Sequence, residues 1–170
     1  MSTQMADPHQ GMISFQKGLR AAILQLHQVP NQRELFAHFD QPEPDVNRLT
    51  YVRLTNDRKD VRAFLNCIMN GMIDGSPCMA VGYAVPESLR QKGLAKQLLK
   101  DVIQDQIVQA GNNGFDTIYI EAVVDANNIA SQRVAEAVLG VEREGITDSH
   151  SGLPAYRYTA GFDTASGRQL

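Results

Sequence analysis

The segment Arg90-Gln91-Lys92-Gly93-Leu94-Ala95 gathers the residue types that hold a phosphorylated ligand. It lies between a nearly continuous apolar run, Cys78 to Val85, and an amphipathic stretch that begins at Leu94, so it reads as the turn from a buried strand into a helix. The first turn of a helix exposes unpaired N–H groups and a partial positive charge. Gly93 lets a phosphate approach the main chain without a Cβ in the way, and Arg90, Lys92 and Lys96 add charge. The Lys-Ser/Thr ending of a P-loop and the G-x-G-x-x-G of a dinucleotide fold are both absent, which leaves a pyrophosphate-bearing cofactor of another kind. A second reactive group is Glu121, the one carboxylate inside the β-branched and aromatic stretch Thr117 to Val124. Strand alternation sets it on the face opposite Ile118, Ile120 and Ala122. A half-buried carboxylate beside a cofactor can be raised toward the working range of a general base; the competing role is a structural or solvated charge.

Arg90, Gly93 and Ala95 occupy the fixed positions of the pattern Q/R-x-x-G-x-G/A, and the segment resembles the acyl-CoA-binding motif of the GCN5-related N-acetyltransferases (GNAT). Downstream, Val124 to Ala135 (VDANNIASQRVA) is similar to the strand-to-helix segment of that family, closest to its ribosomal-protein N-terminal acetyltransferase branch. The resemblance covers Leu49 to Phe162 and is strongest from Met79 to Leu139. It implies an α/β fold of the α+β kind: a mixed, mostly antiparallel twisted sheet with helices on both faces. It also implies acetyl-CoA as co-substrate, held in a gap where the strands Cys78 to Val85 and Thr117 to Val124 splay apart. Backbone groups of Tyr83, Ala84 and Val85 would then bond the pantetheine arm, and the pyrophosphate would rest on Gln91, Lys92, Gly93, Leu94, Ala95 and Lys96.

The chemistry so implied is direct attack of an amine on the acetyl thioester. It needs a neutral amine, a donor to the developing oxyanion and a proton for the leaving thiolate. Glu121 is the candidate base, and a backbone N–H near Tyr83 to Val85 is the candidate oxyanion donor. Many members of the family carry a Tyr seven residues after the Asn of the second motif; counted from Asn128 that position is Ala135 here. Ser131 is the replacement acid that the resemblance suggests, against an ordinary first-turn role in a helix. Asn128 either contacts the pantetheine, caps the helix, or does both. Tyr156, Tyr158 and His150 stand in reserve. A catalytically silent acyl-CoA-binding sensor is the alternative, which the absent Tyr at Ala135 favours; an interaction protein without cofactor is the other rival.

These groups need elements to hold them. Phe15, Leu19, Ala22, Ile23 and Leu26 recur at helical spacing, predicting a helix over Phe15 to Gln28 and a second, short one over Gln32 to Phe39. Gln41 to Asp45 reads as a loop. Leu49 to Thr55 and Val61 to Met69 suggest a hairpin, although the second arm also fits helical spacing. A turn at Asp74 to Pro77 leads into the strand Cys78 to Val85, central in the sheet. Leu94, Leu98, Leu99, Val102, Ile103 and Ile107 form one helical stripe, with Gly111 as its C-cap. After the strand Thr117 to Val124 come a helix capped by Asn127 or Asn128 and stopped by Gly140, then a hairpin of Glu142 to Thr147 with Ala155 to Ala160. The family's short first strand has no candidate but Met12 to Ser14.

With 170 residues the chain reads as one domain, residues 1–170, with a polar lead-in over 1–11 expected to be flexible. Sixteen Lys and Arg against 19 Asp and Glu give a net charge of −3. That balance argues against a nucleic-acid or anionic-membrane partner and suits an amine-bearing acceptor. Two cysteines, Cys67 and Cys78, are too few for a disulfide framework, and no Cys or His spacing suggests a metal. Neither a signal peptide nor an apolar run of spanning length is visible, so the expected location is cytoplasmic. A homodimer through sheet edges or the C-terminal hairpin is compatible with the pattern.

Overall fold

The computed structural model describes residues 7–170. Eight strands form one sheet in the order β1-β2-β3-β4-β5-β6-β8-β7. They are β1 His27–Gln28, β2 Leu35–Glu43, β3 Val46–Leu54, β4 Val61–Ile73, β5 Ser76–Ala84, β6 Thr117–Asp125, β7 Glu144–Thr147 and β8 Pro154–Asp163. All neighbours are antiparallel except β5 and β6, because a helix, α2 (Leu94–Asn112), carries the chain back between them. Helix α3 (Ile129–Leu139) packs beside α2 on the same face, and α1 (Pro8–Arg20) covers the other. Among the described residues no helix is long and apolar enough to cross a membrane.

The two faces are filled unequally. On the α2/α3 side, Leu35, Tyr51, Leu65, Cys67, Val81, Leu98, Leu99, Ile118, Ile120, Leu139 and Tyr158 belong to one large buried cluster. On the α1 side, Met12, Phe15, Phe36, Val52, Val61 and Phe64 form a small one. Alternation along each strand decides the side: Val81 and Tyr83 of β5 belong to the large cluster, whereas Ala84 packs against the small one.

The strands from β3 onward and the helices α2 and α3 stand where the sequence pattern puts them, and β5 is central. The α2 stop differs. The helix runs through Gly111, where a Cβ would make ordinary contact with Thr164 at 3.5 Å, and the left-handed residue beyond its C-cap Asn113 is Gly114, at φ +84°.

The N-terminal readings need correction. Asp7 caps α1 by accepting from the His9 N–H (3.1 Å) and Pro8 sits at the first helical position, so Pro8 to Gly11 are helical rather than a flexible lead-in. Residues 1–6 of that lead-in lie outside the described residues. Met12 to Ser14 are therefore helix, not a first strand. The helix stops at Arg20 because Ala22 turns left-handed (φ +56°), and Leu24 folds back onto Gly18, where a Cβ would stand 3.1 Å from its Cδ1. Of the helix expected over 32–39, residues 32–34 form a turn and 35–39 belong to β2. Leu35 packs toward α2 and Phe36 toward α1, so both strand faces are buried and the apolar run mimics a helical patch. The expected loop over 41–45 shrinks to a tight connection in which Asp45 takes φ +65°.

Candidate active site

Helix α2 begins without a side-chain cap. Its N-cap is Gly93 in the left-handed region (φ +76°), and Gln91 two residues earlier also has positive φ (+63°). Alternating conformations of this kind turn successive N–H groups toward one concavity, and the 19-residue helix adds its dipole. Nothing stands within 4 Å of the place where a Cβ on Gly93 would project, so the space before the loop is open. Arg90, Lys92 and Lys96 are exposed around it, and among the described residues none forms an ion pair. Uncapped donors, open space and unpaired cations fit a pyrophosphate.

Beside this loop the sheet opens. The β5–β6 ladder pairs Cys78 with Tyr119 through Val81 with Ala122 and stops there. β5 remains paired to β4 as far as Ala84, and β6 to β8 as far as Asp125. Gly82, Tyr83 and Ala84 thus face Val123, Val124 and Asp125 across a gap whose backbone groups have no strand partner. Arg90 Nε donates to the Val85 carbonyl (3.4 Å), so of the three residues expected to serve a pantetheine arm, Val85 already has its oxygen engaged.

The far wall of the gap is the β6–α3 turn. Asn128 is the N-cap of α3, its Oδ1 accepting from the Ser131 N–H at 3.1 Å. Gln132 is buried and donates to the carbonyls of Asp125 and Ala126 (3.0 Å each), while its own oxygen accepts from Arg143 (3.3 Å). Sequence reasoning missed Gln132. A buried amide in the second turn of a helix, seven residues beyond a strand end, is the signal that could have revealed it.

Tyr83 was singled out for its backbone alone, yet its side chain crosses to α3 and donates to the Ser131 carbonyl (2.7 Å). Burial, then the neighbouring Tyr158, pushes its hydroxyl above the ordinary phenol value, with the Ala135 N–H opposing. The hydroxyl therefore stands against the turn of α3 that carries Ala135, where the family pattern has its Tyr.

Glu121 lies one residue before the last β5–β6 pair, half-buried, on the α1 side of the sheet. Its Oε1 accepts from Asn70 Nδ2 at 3.1 Å. Cys78 on the same side is buried, and desolvation first, then the Glu121 charge, pushes its thiol to about 12. Arg157, bonded to Glu144 at 2.8 Å, completes this polar patch. The reserve groups are placed elsewhere. Tyr156 and Tyr158 belong to the α2/α3 side, Tyr156 beneath the Arg143 guanidinium (3.9 Å) and Tyr158 donating to Glu136 (3.2 Å); His150 is exposed in the β7–β8 turn. Among the described residues no three His, Cys, Asp or Glu could hold a metal ion.

The sequence model of the acetyltransferase (GNAT) family matches residues 17–141. No curated protein matches the chain in sequence. Among solved structures, the ribosomal-protein-S5-alanine acetyltransferase from Vibrio fischeri is similar at 17% identity and TM-score 0.52, over 71% of this chain and 64% of that one. The chain thus spans less than two thirds of that enzyme's length. A chimeric spermidine N-acetyltransferase from Vibrio cholerae and hSSAT aligns at 11% identity and TM-score 0.50, over 70% and 68%. Arabidopsis thaliana NAA60 in complex with acetyl-CoA aligns at 16% identity and TM-score 0.45, over 68% and 75%. The family match covers β1 to β6, the uncapped helix and both walls of the gap together, and the chain belongs to the acetyltransferase (GNAT) family.

Proposed function

We propose that the protein transfers the acetyl group of acetyl-CoA to a primary amine, on a small molecule or on a protein N-terminus or lysine, by direct attack. The observation that carries this reading is the gap beyond Val81 and Ala122, opening directly beside the uncapped N-terminus of α2. When bound, acetyl-CoA supplies an activated thioester carbonyl. The chain's own residues do the rest. The N–H groups of Gln91 through Lys96 take the pyrophosphate, with Arg90 beside them, and unpaired main-chain groups of Tyr83 and Ala84 orient the arm and face the carbonyl oxygen. Glu121, held by Asn70, accepts the proton of the incoming amine from the α1 side of the sheet. Asn128 fixes the first turn of α3 and so positions Ser131, whose hydroxyl is the nominated proton donor to the departing thiolate.

A thiol-release assay across polyamines, aminoglycosides, amino acids and N-terminal peptides tests the reading. At least one acceptor should stimulate CoA release. Acetyl-CoA binding with silence across the panel would make the protein a sensor instead. Gly93→Val should weaken acetyl-CoA binding at least tenfold, since a β-branched residue is strained at φ +76° and its side chain fills the open space before the loop. Unchanged affinity in a folded variant would remove the phosphate from this loop.

A further inference from the structure

Helix α2 carries two buried carboxylates one turn apart, both directed at β3. Asp101, 7% exposed, is answered by the guanidinium of Arg53 and by Gln97 Nε2 at 3.0 Å. Asp105, 8% exposed, meets Tyr51, two residues before Arg53 on the same strand face. Its Oδ2 accepts from the Tyr51 hydroxyl (2.6 Å) and from Gln109 Nε2 (2.5 Å), and Gln106 Nε2 in turn donates to Tyr51 (2.7 Å). Among the described residues no cation pairs with Asp105. Tyr51 cannot serve as one: burial holds it as a neutral phenol.

A carboxylate taken out of water without a countercharge is costly, and neutral donors offset only part of that cost. Asp101 shows how this fold ordinarily meets it. Asp105 differs in a second way, because it lines a cavity of about 600 Å³ beside the β1–β2 connection. Asp105 is the one charged group in that lining; the other polar residues are the amides Asn31, Gln32, Gln104, Gln109 and Asn112. Both bonds to Asp105 go to Oδ2, which leaves Oδ1 for an occupant.

We propose that this cavity binds a small organic cation, an alkylammonium whose N–H donors reach Oδ1 of Asp105 and the amide oxygens of the wall. A single carboxylate among neutral amides suits a monovalent ammonium; a divalent ion asks for more anionic oxygens. The site is separate from the gap between β5 and β6. Asp105 stands eleven residues along α2 from Leu94, roughly 16 Å at 1.5 Å per residue, and it faces β3 rather than β6. The inference therefore stands apart from the transfer reaction.

The test is a titration of the full chain, without acetyl-CoA, with n-butylammonium chloride, following the side-chain amide NMR signals of Gln104, Gln109 and Asn112. A saturable shift is expected. Asp105→Asn should raise the dissociation constant at least tenfold. Val108→Trp should do the same from the rim, since Val108 lines the cavity, is 56% exposed and bonds to none of these groups. If Asp105→Asn fails to fold, Val108→Trp decides, and unchanged affinity overturns the site. It is equally overturned if no saturable shift appears, if n-butanol produces the same shift, if potassium chloride at equal ionic strength reproduces it, or if folded Asp105→Asn binds as the natural chain does.

Discussion

The two faces of the sheet are built to different standards. The α2/α3 face has a continuous core from Leu35 to Phe162, and even its polar groups are tied down, as in Tyr51 with Asp105 and Gln132 with the β6–α3 turn. The α1 face has a cluster of six buried apolar residues, two of them from α1 and four from the sheet beneath it, then a half-buried polar patch around Glu121. The packed face holds the helix whose N-terminus is the proposed cofactor site. The thinner face is the side from which the proposed mechanism brings the acceptor to the gap. The division separates what must not move from what must be reached.

The sharpest way to break that comparison is to remove the proposed proton acceptor, Glu121, from the thin face. Glu121→Gln should lower turnover at neutral pH by about 10²- to 10⁴-fold. The deficit should narrow as pH rises, because more of the amine arrives already deprotonated. Asn70→Ala should reproduce a smaller part of it by releasing the Glu121 side chain. A uniform loss at every pH would leave Glu121 a structural carboxylate. The packed face is tested by stability: Leu99→Ala should cost about 4–5 kcal/mol and Met12→Ala, under α1, nearer 2 kcal/mol, both by urea unfolding. Equal costs would show that the two clusters contribute alike.

The same division governs how far the sequence was legible. β5, α2, β6 and α3 each carry one strong period and a punctuating residue, such as Gly93 before α2, Asn128 before α3 and Gly140 after it, so local pattern and tertiary structure agree there. The helix predicted over 15–28 holds as far as Arg20, but residues 21–45 depart from the pattern because their apolar residues are shared between two faces. Leu35 and Phe36 are adjacent yet point opposite ways, and Leu19, Ile23 and Leu26 keep helical spacing across a chain reversal marked by Gly18 and Ala22. In the candidate site, the loop over 90–95 was readable from residue type. The bridge from Tyr83 to Ser131 and the clamp of Gln132 were not, since they depend on which side chains the β5–β6 gap brings together.

The two cysteines offer a probe on each face. Cys67 belongs to the large cluster and Cys78 lies on the α1 side beside Glu121. Burial pushes both thiols from an ordinary value near 9 to about 12. In the unfolded chain they ionise above pH 9 while the native protein keeps them protonated. Their contribution to stability is therefore complete below pH 9 and is lost as pH rises toward 12, by up to about 1.4 kcal/mol per pH unit for each thiol. Urea unfolding at pH 8 and pH 10 should show the loss, and Cys67→Ala or Cys78→Ala should each remove its share of the slope. Native thiol labelling at pH 8 should be slow at both, with Cys78 the faster.

The smallest expected effect bears on Tyr83, whose side chain crosses from β5 to α3. Tyr83→Phe keeps the ring within the large cluster and deletes the hydroxyl that donates to the Ser131 carbonyl. The Ser131 carbonyl loses one donor but stays within the ladder of α3, so the stability cost should stay near 1 kcal/mol. If Tyr83 only fastens α3 across the gap, KM for acetyl-CoA should rise several-fold while kcat stays within a few-fold. A fall in kcat of a hundredfold or more with KM unchanged would mean that this hydroxyl itself delivers the proton, from β5, that the family pattern assigns to the residue at Ala135. Ser131→Ala in the same assay separates the two donors: only the true one lowers kcat without loosening cofactor binding.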